Sequence, residues 1–266
     1  MLSKKDLFKD GKKSRGVLRV KKLSVLSLVV LCLCVMVALN VTPLAIVVAT
    51  RKIPIYCVDR QDKSIALTFD AAWGADKTKQ ILDVCDKYNV KVTFFLVGFW
   101  TEKYPELVKE IADRGHAIGT HSETHPKMTG LSAAKQQTEL VSSVKKITDI
   151  TFKEVKIFRP PFGDYDNSVI ETATSLGLST IQWSVDSLDW KGISAVQIAD
   201  RVLKASAGDI ILCHNNSDHI VEALPVILQG FLDRGFTFAT VEDLIYYEDF
   251  YIDHTGRQIK NKTNID

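Results

Sequence analysis

The sequence predicts an α/β fold: a parallel sheet curled into a closed or nearly closed barrel, preceded by one transmembrane helix. Three observations carry this. Short, near-continuous apolar runs alternate with segments of helical periodicity, the pattern of parallel strands covered on both faces. Seven such strand runs fit into the roughly 180 residues after Lys63, more than a small open sheet needs. Ahead of them, the 25 residues from Val25 to Ala49 carry no charge and follow a strongly basic N-terminus.

Composition sets the frame. The 266 residues include 34 Lys+Arg and 32 Asp+Glu, with 46% hydrophobic and 25% charged residues. That excludes a disordered polar chain, a collagen-like repeat and a small cysteine-stapled scaffold. Residues 1–24 form a basic tail, in which Met1 to Lys22 hold nine basic and two acidic residues. From Arg51 onward, 25 basic residues face 30 acidic ones, a mildly acidic body that argues against a nucleic-acid partner. The apolar run 25–49 would reach about 37 Å as a helix, enough for a hydrocarbon core of about 30 Å. It is long for the apolar core of a cleaved signal peptide, which runs about 7 to 15 residues. The positive-inside bias then leaves the N-terminus in the cytoplasm and the body outside, as a single-pass protein of the cell membrane. Cys32 and Cys34 follow leucines rather than the small residue a lipoprotein signal needs. Cys57, Cys85 and Cys213 are an odd number, so no complete disulfide framework is read.

After a linker at 50–63, SIALTF (Ser64 to Phe69) is the first strand. It precedes a helix in which Ile81, Leu82 and Cys85 recur at helical spacing. VTFFLVG (Val92 to Gly98) precedes a helix with Leu107, Val108 and Ile111, closed by Gly115. HAIGT (His116 to Thr120) leads through a loop to a helix from about Ser132 to Asp149. VKIF (Val155 to Phe158) precedes a helix through Ile170 to Leu176, and STIQWSV (Ser179 to Val185) one near Ser194 to Lys204. DIILC (Asp209 to Cys213) precedes a helix from about His219 to Arg234, and FTFAT (Phe236 to Thr240) is the last strand. The domain spans 64–247, and 248–266 reads as a polar, frayed C-terminal tail.

The ionisable residues cluster at strand ends. Asp70, His121, Arg159, Asp186 with Asp189, and His214 each follow a predicted strand. Ligands of parallel α/β sheets and barrels bind at the carboxyl ends of the strands, so these side chains are expected to meet in one pocket. HSETH sets His121 and His125 four residues apart, a spacing that suits either a divalent metal or two loop histidines. Cys213 and His214 are strand neighbours and point to opposite faces, which excludes a thiol–imidazole nucleophile pair. No G-x-S-x-G, Walker loop or G-x-G-x-x-G follows a strand.

Five segments in order, TFDAAWG (Thr68 to Gly74), HSETH, RPPFG (Arg159 to Gly163), DSLDW (Asp186 to Trp190) and ILCH (Ile211 to His214), resemble the polysaccharide deacetylase family, carbohydrate esterase family 4 with its NodB homology domain. TFDAAWG after IPIYCVD is most similar to the membrane-anchored, sporulation-associated branch called PdaB-like. The resemblance implies a distorted (β/α) barrel of about seven strands. It also implies hydrolysis of N-acetyl groups of N-acetylglucosamine or N-acetylmuramic acid in a cell-wall polysaccharide, peptidoglycan or a chitin-like polymer. Carried over, Asp70 matches the general base, His121 and His125 metal ligands, and His214 the general acid. Asp189, or as second choice Asp186, would orient His214, and Arg159 would pair with Asp70. Phe162 would offer its backbone N–H to the oxyanion, Trp190 and Leu212 would shape the acetyl-methyl pocket, and Trp73 stands near its mouth. One residue departs from the family pattern. The usual TFDDG has Ala71 in place of its second Asp, so a divalent zinc or cobalt ion would lose a carboxylate ligand. A catalytically weak or inactive glycan-binding protein is the alternative this implies.

Overall fold

The computed structural model describes residues 25–35 and 50–261. The chain divides into two compact units at Thr50 and Arg51. In the first, residues 25–35 form helix α1, whose side chains are exposed. No helix among the described residues is long and apolar enough to cross a membrane. The rest of the predicted span, 36–49, lies outside the described residues, as do the basic tail 1–24 and residues 262–266.

The second unit is the predicted α/β body. Strand β1 (Cys57–Val58) is followed by β2 (Ser64–Ala71), α2 (Thr78–Lys87), β3 (Thr93–Leu96), α3 (Gly98–Lys103), α4 (Pro105–Asp113) and β4 (Ala117–Thr120). Then come α5 (Ala133–Thr151), β5 (Ile157–Phe158), α6 (Asn167–Ser175), β6 (Ser179–Thr180), β7 (Val185–Asp186), α7 (Ala195–Val202) and β8 (Ile210–His214). The chain closes with α8 (Ile220–Asp233), β9 (Thr237–Phe238), α9 (Val241–Leu244), β10 (Phe250–Ile252) and β11 (Arg257–Lys260). Seven parallel strands run in the order β6-β5-β4-β3-β2-β8-β7, with β9 also pairing with β2.

The path is a curled half-barrel, open between β6 and β7 rather than closed or nearly closed as expected, and its central strand β2 shows how sequence builds it. All eight of its residues are buried, as expected of a strand covered on both faces. Ile65, Leu67, Phe69 and Ala71 join the core under the helices. Their alternates point inward, where Ala66 packs with Ile55, Phe95, Ile157, Ile181 and Ile210 and is capped by Val241 and Leu244. The interior is therefore apolar at the amino ends of the strands and turns polar toward Thr68 and Asp70 at the carboxyl ends. Strand β8 repeats the alternation: Ile211 and Cys213 face the helix-side core, while Leu212 and His214 face the cavity.

Three further expectations need correction. STIQWSV is not one strand. Its ends are β6 and β7, at opposite edges of the seven-stranded path, and Ile181 to Ser184 cross between them. The segment read as a linker is part of the body from Ile55 onward. Ile55 N–H donates to Thr180 O at 3.0 Å and Ile55 O accepts from Gln182 at 2.7 Å, beside the open edges. The segment read as a frayed tail forms β10 and β11, with β11 parallel to β1. Its polar composition hid this, because its groups are satisfied locally: buried Gln258 takes Tyr246 N–H at 2.9 Å and donates to Tyr246 O at 2.6 Å.

Candidate active site

Asp70, next to last in β2, is buried, yet it stays ionised because charges surround it. Arg159, just past β5, is fully buried. It donates from Nη1 to Asp70 Oδ1 at 2.7 Å and to Thr68 Oγ1 at 2.7 Å, and from Nη2 to Gln182 O at 3.1 Å. Its guanidinium lies 4.1 Å from the Phe95 ring centre, so an inward face of β3 also holds it. Burial favours the neutral Asp70 carboxyl, but Arg159, His121 and His214 outweigh it and hold Asp70 below the usual carboxylate range.

The two histidines come from the turn after β4. His121 Nδ1 donates to Arg159 O at 2.7 Å, since a carbonyl can only accept. That leaves the Nε2 lone pair facing Asp70 Oδ2 at 3.5 Å. Burial lowers the pKa of His121, and it lowers that of His125 to about 4, so both rings are neutral at physiological pH. The ring centres lie 4.9 Å apart, and His125 also meets the edges of Trp73 at 4.8 Å and Phe162 at 4.6 Å. Holding this arrangement requires left-handed backbone at Ser122 (φ 67°) and His125 (φ 58°), costing about 1–2 kcal/mol each.

On the facing wall, His214 ends β8. Its Nδ1 meets Asp189 Oδ1 at 2.7 Å, and its backbone N–H donates to Asp189 Oδ2 at 2.8 Å. Nε2 is left as the nitrogen available to a ligand. Burial presses the His214 pKa down, but the Asp189 hydrogen bond and charge, with Asp70 and Asp186, outweigh it and raise the value above normal. Asp186 turns elsewhere, accepting Leu188 N–H at 2.8 Å. Of the two aspartates read as possible partners of His214, Asp189 makes the contact.

These groups line one cavity of about 690 Å³, together with Trp73, Phe162, Asp186, Asp189, Trp190 and Leu212. Arg159 lies beneath it, behind Asp70. Phe162 (φ 60°), Trp73 and Trp190 are exposed aromatics around the mouth, at 63%, 65% and 58%, suited to stacking on apolar sugar faces. Two parts of the lining were not read from sequence. Trp183 lies on the crossing between β6 and β7, inside a run whose apolar pattern predicts strand. The wall Asn215 to Asp218 is held by Asn215 Nδ2, which donates to Gly74 O at 3.0 Å, and by Lys77, which donates to Ser217 O at 2.9 Å. The run N-N-S-D has no distinguishing pattern; its position directly after His214 was the available signal.

Two neutral imidazoles beside a carboxylate, with His121 Nε2 and Asp70 Oδ2 facing each other as acceptors, suit a divalent cation. They offer fewer protein ligands than a closed site: among the described residues no group of three His, Cys, Asp or Glu is placed to hold a metal ion. Ala71, where the family pattern has Asp, is fully buried in the helix-side core.

The sequence profile of the polysaccharide deacetylase family matches residues 58–181. A peptidoglycan-N-acetylglucosamine deacetylase of Bacillus cereus is 35% identical over 197 residues, covering 72% of this chain and 92% of its own. The peptidoglycan-N-acetylmuramic acid deacetylase PdaA of Bacillus subtilis is 35% identical over 199 residues, covering 73% of this chain and 76% of its own. Among solved structures, BA3943 of Bacillus anthracis, a CE4 family pseudoenzyme, superposes with a TM-score of 0.70 at 33% identity, over 72% of this chain and 69% of that one. A mutant of BA3943 with restored enzymatic activity gives the same TM-score at 34% identity.

Proposed function

The chain belongs to the polysaccharide deacetylase family, carbohydrate esterase family 4, whose members include hydrolytic deacetylases and pseudoenzymes, and from that premise we propose that it removes N-acetyl groups from the sugars of peptidoglycan outside the cytoplasm. The observation that carries this is the pair of opposed titrations across one cavity. Asp70 is held below the usual carboxylate range and His214 above the usual imidazole range, so a base and an acid stand ready together near neutrality.

In this reading water adds to the acetyl carbonyl carbon and Asp70 accepts its proton. The carbonyl electron pair moves to oxygen, which the Phe162 N–H stabilises. The C–N bond then breaks with its electron pair passing to nitrogen, and His214 Nε2 delivers a proton to the departing amine. Acetate and a free amino sugar result. Asp189 keeps His214 protonated and oriented, and Arg159 keeps Asp70 charged. His121 and His125 would hold a zinc or cobalt ion, which when bound polarises the water and the carbonyl. Trp190 and Leu212 enclose the methyl group, and Trp73 stacks on a neighbouring sugar.

The test is acetate release from peptidoglycan and N-acetylchitooligosaccharides by the purified chain, with and without added zinc or cobalt. Release that Asp70→Asn and His214→Ala abolish supports the reading. No release under any metal refutes it and favours the second reading, a glycan-binding protein without turnover. That alternative draws on Ala71 and on the likeness to BA3943. The uncharged run 25–49 behind a basic tail supports membrane anchoring with the body outside. Protease accessibility on intact cells would check it, and the PdaB-like first segment makes sporulating cells the ones to use.

A further inference from the structure

Outside the cavity, three polar side chains of α5 converge on the loop that carries both histidines. Glu139, Ser143 and Lys146 are spaced four and three residues apart and share one face of the helix. The Glu139 carboxylate accepts three hydrogen bonds from the loop: Glu123 N–H at 2.9 Å, Thr124 N–H at 2.7 Å and the Thr124 hydroxyl at 2.7 Å. Ser143 accepts the Thr120 hydroxyl at 2.7 Å, and Thr120 Oγ1 accepts Ser122 N–H at 3.2 Å. Lys146 donates to Glu123 Oε1 at 2.6 Å.

The loop needs such support, since Ser122 and His125 both occupy the left-handed region that L-residues disfavour. The His125 ring supplies none itself. Its Nδ1 is buried without a hydrogen-bond partner among the described residues, and only the aromatic edges of Trp73, His121 and Phe162 bracket it. Its place therefore depends on the backbone from which it hangs. Glu139 is the side chain that fixes two consecutive amides of that backbone.

We propose that Glu139 is a positioning residue of this site: it holds the histidine loop in its strained form, and so sets His125 against His121, without touching the substrate. The kinetic part of the test rests on the hydrolase reading; the spectroscopic part does not. Glu139→Ala, Glu139→Gln and Thr124→Val are made in the full chain. The imidazole 15N–1H correlations of His121, His125 and His214 are recorded beside melting temperature, kcat and KM. Glu139→Ala is expected to move the His125 resonances and lower kcat at least tenfold, with KM within twofold and the His214 resonances in place. Glu139→Gln, which keeps an acceptor, recovers part of both effects. Thr124→Val, which removes one of the three bonds, moves His125 less and in the same direction. Unchanged His125 resonances in a folded Glu139→Ala protein overturn the proposal. If that variant does not fold, unchanged His125 resonances in Thr124→Val overturn it equally. Should the wild-type chain release no acetate, the hydrolase reading fails and the resonances alone decide.

Discussion

Replacing Asp189 by Asn keeps the shape of the side chain beside His214, removes its charge and leaves one accepting oxygen where there were two. Asp189 is 1% exposed and touches His214 twice, at ring and backbone, so no other carboxylate can take over that place. A hydrogen bond to a charged group contributes about 1.5–3 kcal/mol, against about 0.5–1.5 for a neutral one. The His214 side chain is 33% exposed, so solvent screens part of the difference, and the lower end, about 1 kcal/mol, is the fair expectation. That is about a fivefold loss of imidazolium. Burial, the largest influence on His214, is then less opposed and favours the neutral ring. Because His214 acts as an acid, kcat/KM falls as pH rises through its pKa. In Asp189→Asn this falling limb moves to lower pH, and above neutrality kcat/KM drops about fivefold from protonation alone. Stability follows the same linkage. The pair's contribution is full below the unfolded imidazole value of about 6.5 and is lost as pH rises through the raised folded value. The gap in melting temperature between wild type and variant therefore narrows as pH rises. Acetate release and an NMR titration of His214 across the neutral range measure both, and superimposable limbs with superimposable titrations refute the reasoning.

Arg159→Met strands the buried Asp70 carboxylate and is expected to cost about 3–5 kcal/mol, read as a fall in melting temperature of about 6–20 °C for a domain of this size. Since Asp70 titrates below its ordinary value, the stability its pairing contributes is present above about pH 4 and lost as pH falls through the folded value. The gap between wild type and Arg159→Met should therefore close on acidification, as urea midpoints would report. Ala71→Asp restores a carboxylate at the family position, and zinc or cobalt should bind at least tenfold more tightly by calorimetric titration; equal affinity would mean that Ala71 does not limit the site. Gly119→Ala places a methyl group 2.6 Å from the Phe95 ring and 2.8 Å from Ile157, an overpacking worth about 1–3 kcal/mol. Thermal denaturation should show it, with the His214 titration unmoved.

The body of the fold was legible because its strands are buried on both faces. The apolar runs SIALTF and DIILC each stop just before an ionisable residue, and that stop marks the carboxyl edge where Asp70 and His214 meet. Legibility failed where polar groups pair locally instead of burying apolar surface. Gln258 satisfies itself on the Tyr246 backbone, so β11 resembled a frayed tail. Ile55 lies between Pro54 and Tyr56 in a short buried stretch that ends at Val58, and a proline beside so brief an apolar run is a weak signal for a pairing segment. In the site, residue types at strand ends could be read and the family resemblance put Asp189 ahead of Asp186, but the physical reason, the left-handed Leu188 turn that brings Asp189 back to His214, could not be read. Glu139 was invisible for the same reason: a glutamate on an amphipathic helix is ordinarily a solvated side chain.

The way the body begins has a mechanical consequence. Between Ile55 and Asp59 the backbone is clamped to three separate segments, at Thr180 and Gln182, at Gly208, and at Gly256 and Gln258. The last of these runs parallel to it. A pull on the polypeptide ahead of Arg51 would load these bonds together, in shear along the strand, and would have to break them before tension reached strand β2 with Asp70 or the loop bearing His125. Force applied ahead of the body is thereby kept from the reactive geometry, which rests on strands and turns that these bonds shield.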